Sequence, residues 1–108
     1  MIRHTVVFRL IHPTGSELER SFLADAEALR EIPGVQKFEQ LAEVSPKNDF
    51  HFGFSMEFDD QTAYDGYSNH PVHVEFVSTR WVPEVADFLE VDYVPLQPYS
   101  ARRGTMDV

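Results

Sequence analysis

Between Phe50 and Phe58 every second residue is large and apolar: Phe50, Phe52, Phe54, Met56 and Phe58 alternate with His51, Gly53, Ser55 and Glu57. A helix would scatter these side chains around its axis. An extended chain gathers them on one side, because successive side chains of a strand point to opposite faces. The segment therefore predicts a β-strand with one face that needs a cover. Ile2, His4, Val6, Phe8 and Leu10 repeat the pattern against Arg3, Thr5, Val7 and Arg9, which puts His4 on the apolar face of a first strand. A chain of 108 residues, 43% of them apolar, is long enough for one core and one domain. Its nine Phe and four Tyr are expected to fill much of that core.

Between these strands the period changes. Ser16, followed three residues later by Glu19, forms a capping box that opens a helix. Its apolar stripe is Leu18, Phe22, Ala26, Leu29 and Ile32, and Pro33-Gly34 ends it. A second strand is expected from Val35 to about Glu43, with blurred alternation. Asp60 is read as the N-cap of a helix carrying Ala63, Tyr64 and Tyr67, which Pro71 interrupts before a second piece with Val72, Val74, Phe76 and Val77. Pro83 suits the first turn of another short helical piece, with Val85 and Phe88 or Leu89 as its contacts. The last strand is expected over Leu89, Val91 and Tyr93, ending at Pro95.

The order βαββαβ predicts a ferredoxin-like α+β fold, one antiparallel sheet with helices on one face. No element remains for the other face. A homodimer in which two sheets pack into a dimeric α/β barrel is the economical answer. The domain is expected over residues 1–95, with 96–108 as a C-terminal extension of little structure unless a partner subunit holds it.

Charge and composition narrow the function classes. Eighteen acidic against nine basic residues give a net charge of −9, which repels phosphate backbones and anionic lipid surfaces, so no nucleic-acid or membrane partner is expected. The absence of Cys removes disulfides, thiolate catalysis and Cys-based metal sites. Arg3, His4 and Arg9 interrupt the apolar residues of the N-terminus, so it reads neither as a signal peptide nor as a membrane span, and a cytoplasmic protein is expected. The chemistry-bearing residues are the histidines. His70 and His73 flank Pro71 and Val72; they could cap and pack that corner of the fold, or form an i, i+3 metal pair, for which spacing marks no third ligand. No metal is expected. His4 could equally be a core histidine with satisfied ring nitrogens.

MIRHTVVFRL at the start, EIPGV after the first helix, FGFSMEF, NHPVHVEFV and the closing VDYV together resemble the Dabb family, the stress-responsive A/B-barrel domains, in the family's order over roughly residues 1 to 95. The resemblance implies a dimeric α/β barrel with a cavity in each subunit between sheet and helices. It also implies, from the polyketide-cyclase branch, His73 as general base and Tyr67 as its assistant, with His4 lining the cavity. Phe22, Phe52, Phe54 and His70 are further expected ligand contacts, although the Phe stripe also reads as sheet core. The sequence departs from that branch in its Phe-rich third strand, in Asp25 where the branch has an aromatic, and in a longer tail. Three readings follow: a cofactor-free acid–base enzyme (cyclase, isomerase or lyase type) on a small carbonyl compound; a non-catalytic stress-response or hydrophobic-ligand-binding protein; and, on fold analogy alone, a cofactor-free oxygenase.

Overall fold

The apolar faces of two strands and one broken helical layer meet in a single core. In the computed structural model, described for residues 1–96, strand β1 spans Ile2–Leu10, helix α1 Glu17–Ala26, β2 Gln36–Ala42, β3 Phe52–Phe58, α2 Gln61–Asn69, α3 Pro71–Phe76 and β4 Val85–Tyr93. The strands form one antiparallel sheet in the order β2-β3-β1-β4, a ferredoxin-like α+β fold with the helices on one face. The C-terminal extension from residue 97 onward lies outside the described residues.

The β1 alternation appears as burial: His4, Val6, Phe8 and Leu10 are buried and the residues between them are less so. Across the ladder they share a face with Met56, Phe54 and Phe52 of β3, and this shared face holds the core together with Phe22, Ala26, Leu29 and Ile32. Leu18, expected on the α1 stripe, is 58% exposed, one turn too early to reach the sheet. At the start of α1 the Ser16 hydroxyl accepts from Glu19 N–H, while the Glu19 carboxylate accepts from Gly15 N–H. The capping box thus closes one residue further out than its simplest form. After Ala26 the helix tightens into a 3-10 turn, Glu27–Glu31, and Gly34, at φ 91°, turns the chain into β2.

The blurred alternation of β2 has a physical cause. The register against β3 shifts between Gln36 and Glu39, and Lys37 sits there at φ 51°. This bulge re-aims Phe38, which is 3% exposed, into the core.

The last third of the chain differs from its sequence reading. α3 does not stop and restart. It passes through one π-helical turn, Val77–Trp81, into a final α-turn, Val82–Glu84, with Val82 N–H bonding five residues back to the Val77 carbonyl. Pro83 stands in the first turn of this short piece, as its sequence suggested, but the piece continues α3 and ends at Glu84, so Val85, Phe88 and Leu89 belong to the strand that follows. β4 accordingly starts at Val85, earlier than the alternation of Leu89, Val91 and Tyr93 suggested, because pairing with β1 runs from Leu10↔Val85 to Arg3↔Tyr93. That register places Phe88, Glu90 and Asp92 on the helix side of the sheet, opposite Phe8, Val6 and His4. Leu89, Val91 and Tyr93 lie on the outer face.

Candidate functional site

Between the sheet and α2–α3 lies a cavity of about 490 Å³, within the range that encloses small ligands. Most of its wall is apolar and includes Val6, Leu29, Phe54, Met56, Phe76 and Trp81; four polar side chains also line it, His4, Tyr67, His73 and Glu90. Val82 and Phe88, 70% and 49% exposed, form its mouth.

Each polar group is held by a separate element. His73 sits in the first turns of α3, whose entry is fixed by Pro71 and by His70, the residue that both ends α2 and caps α3. The His73 Nδ1–H donates to the Ser68 carbonyl at 3.0 Å, which leaves Nε2 as an acceptor facing the cavity. Burial pushes the His73 pKa below its ordinary value; the Ser68 bond and the charge of Glu90 oppose this, and His4 adds to it. A buried imidazole with a depressed pKa is neutral at pH 7, the form that takes up a proton.

His4 projects from the middle of β1 and is 6% exposed. Its Nδ1 lies 2.6 Å from Asp92 Oδ1 on the neighbouring strand. A carboxylate only accepts, so the proton resides on Nδ1 and the Nε2 lone pair is left for the cavity. Tyr64 closes the group: its hydroxyl donates to Asp92 Oδ2 at 2.8 Å and lies 2.8 Å from His4 Nδ1, while its ring stacks on Phe58. Tyr67, 3% exposed, lies between the two histidines, its ring centroid 4.5 Å from that of His73 and 6.2 Å from that of His4. Burial, then the charge of Glu90, raises the Tyr67 pKa well above that of a free phenol, so its hydroxyl stays a hydrogen-bond donor.

No buried side-chain polar atom among the described residues lacks a partner. Among the described residues His4 Nε2, His73 Nε2 and the Tyr67 hydroxyl have no protein partner, and all three residues line the cavity, the space these groups can reach. Three acid–base groups therefore present an open position to one apolar space.

Not every residue singled out in the sequence lies here. Phe54 lines the cavity. Phe22 is fully buried among Phe8, Phe76 and Trp81, one layer behind the wall. Phe52 packs on Phe8 and borders a separate shallow hollow with Leu23 and Leu41. His70 turns away, its Nδ1 accepting from Val72 N–H. It caps the second helical piece, while one nitrogen of each junction histidine is already engaged. Among the described residues no three His, Asp or Glu side chains are grouped to hold a metal ion. Asp92, Tyr64, Glu90 and Trp81, by contrast, were not marked as site residues by sequence.

A family model described as the stress responsive A/B barrel domain matches residues 2–95. No curated protein matches the chain. Among solved structures, a Dabb family protein with a ferredoxin-like fold from Mesorhizobium loti is 62% identical, covers 89% of this chain and 97% of its own, and superposes with a TM-score of 0.88. A hydroxynitrile lyase from Passiflora edulis shares the fold at 17% identity, with 89% and 94% of the two chains covered and a TM-score of 0.77. A dimeric ferredoxin-like protein of unknown function from Thermobifida fusca does so at 20% identity, with 87% and 90% covered and a TM-score of 0.73. From the motifs, the matched length and the 62% identical relative, the chain belongs to the Dabb family of stress-responsive A/B barrel domains.

Proposed function

We propose that this protein is an acid–base enzyme of the cyclase, isomerase or lyase type, acting on a small carbonyl compound and working as a homodimer. The observation that carries this is the convergence of His73 Nε2, the Tyr67 hydroxyl and His4 Nε2 on one apolar cavity, each histidine held in a single tautomer by its other nitrogen. In this reading His73 Nε2 takes a proton from the carbon next to a carbonyl. Tyr67 donates a hydrogen bond to the oxygen as the enolate forms, within a largely apolar wall. The proton on His73 then returns to carbon or to a departing group, with His4 as a second base whose orientation Asp92 maintains. These steps need only groups the chain itself supplies. A fold relative in Passiflora edulis that is a hydroxynitrile lyase supports the choice of reaction class.

The dimer rests on the other sheet face. Val7, Leu89, Val91 and Tyr93 share it with Thr5 and Ser55, no element of the described chain covers it, and Leu89 and Tyr93 are 54% and 53% exposed. Relatives of the same fold from Thermobifida fusca, Bacteroides fragilis and Jannaschia are themselves dimeric, which supports the same assembly here.

The test is a thermal-shift screen of the wild type and His73→Ala against small ketones, aldehydes and short polyketide mimics, followed by turnover assays on the class that binds. A ligand at about 100 times its Kd adds about 2.7 kcal/mol, several degrees for a domain of this size. Binding by the wild type, together with a roughly 10²–10⁴-fold loss of turnover in His73→Ala, is the expected result. Binding without turnover in any class would favour the non-catalytic reading.

A further inference from the structure

Among the described residues the cavity wall carries one formal charge that the proposed reaction does not require. Glu90 is on β4 opposite Val6 of β1, on the helix side of the sheet, and lines the cavity. Among the described residues no ion pair involves it, and the wall includes no Lys or Arg. The nearby cations are engaged elsewhere: Arg3 pairs with Glu57 on the outer sheet face, and Arg80 with Asp25 and Glu84. A second carboxylate, Asp92, stands directly behind His4.

Resting on the acid–base reading above, we infer that Glu90 sets substrate charge: the cavity takes uncharged carbonyl compounds and turns carboxylates away. An incoming carboxylate would give up hydration to a wall of Phe54, Phe76, Trp81 and Phe88, find no cation among the described lining residues to replace it, and meet the like charge of Glu90, which is exposed and so partly screened by solvent. The net charge of −9 adds repulsion at longer range. A neutral ketone or aldehyde meets none of these penalties, and its oxygen can accept from Tyr67. The influence of Glu90 already extends over the site, since its charge raises the proton affinity of both His73 and Tyr67. The same charge would steady the imidazolium that His73 becomes on taking a substrate proton, so Glu90 helps the reaction while restricting what enters.

Equilibrium dialysis at pH 8 of two probes with the same ring system, 2-acetylnaphthalene and 2-naphthoate, against the wild type, Glu90→Gln and Glu90→Lys tests this. The wild type should bind the ketone at least about tenfold tighter than the carboxylate. Glu90→Gln should narrow the ratio to within about threefold, and Glu90→Lys should reverse it while ketone affinity changes little. A carboxylate that binds the wild type as well as the ketone, or a ratio that neither substitution moves, overturns the role of Glu90 and leaves the cavity reading intact. Failure of all three proteins to bind either probe would overturn the cavity reading, and this inference with it.

Discussion

The depressed proton affinity of His73 has consequences for activity and for stability. Burial favours the neutral ring, so in the folded state His73 gains its proton at lower pH than in the unfolded chain, where the ordinary value is about 6.5. Below that value the unfolded chain binds the proton that the folded one resists. Stability contributed at this position is therefore full above about pH 6.5 and falls as pH drops through the folded pKa. The same titration removes the base, so turnover should show an acid limb below pH 6.5, measured as kcat/KM against pH. In His73→Phe that stability loss should disappear from thermal melts taken between pH 5 and 7. Asp92→Asn tests the second histidine: an amide can face His4 Nδ1 through either its oxygen or its NH₂ group, so the Nε2 lone pair is no longer guaranteed. A kcat loss of roughly tenfold or more with little change in ketone binding is expected. That His73, Tyr67 and His4 line one cavity could be expected from the resemblance, because they stand in or near its motifs. Asp92 was not legible in the sequence, because it meets His4 across 88 residues of chain through a β1–β4 register that no local pattern encodes.

At the scale of elements, two glycines show how backbone conformation decides the effect of one added methyl group. Gly34 turns the chain between the 3-10 turn and β2 at φ 91°, and a Cβ there would stand 3.4 Å from the Cβ of Ala63. Gly66 lies inside α2, where an added Cβ meets nothing within 4 Å. Gly34→Ala should destabilise the fold by about 1–2 kcal/mol, because an L-residue strains in the left-handed region. Gly66→Ala should stabilise it by about 0.5–1 kcal/mol through helix propensity. Paired denaturant melts read opposite signs if the two environments are as described. Most elements could be read from sequence because capping residues and periodicity are local: Ser16 and Asp60 cap the helices they were expected to cap. The π turn and the early start of β4 could not. Pro83 marks the first turn of a short helical piece but not its length, and only the pairing of Val85 with Leu10 shows that the piece stops at Glu84.

For the whole molecule, the count of elements alone argues for a partner, since four strands and one helical layer leave a sheet face without a cover. The sequence did not show which apolar residues of β4 belong to that face. Leu89, Val91 and Tyr93 alternate cleanly with acidic neighbours, and it is these acidic residues, Glu90 at the cavity and Asp92 behind His4, that turn to the helix side. The polar side of β4 thus faces the helices, and its apolar side is the face on which the proposed dimer would form. Val91, half-buried and paired with Thr5 of β1, lies within the open face, where a charge would be desolvated by an opposing sheet. Sedimentation equilibrium at micromolar concentration should give the wild type a mass twice the 12.5 kDa of one chain. Val91→Glu should shift the equilibrium toward monomer by at least about tenfold, as burying an unpaired carboxylate at a symmetric interface places two of them close together. The variant should also melt at lower temperature, with a melting point that no longer rises with protein concentration. A wild type that sediments as a monomer, or a Val91→Glu protein that remains as dimeric as its parent, would mean that this face is covered in some other way.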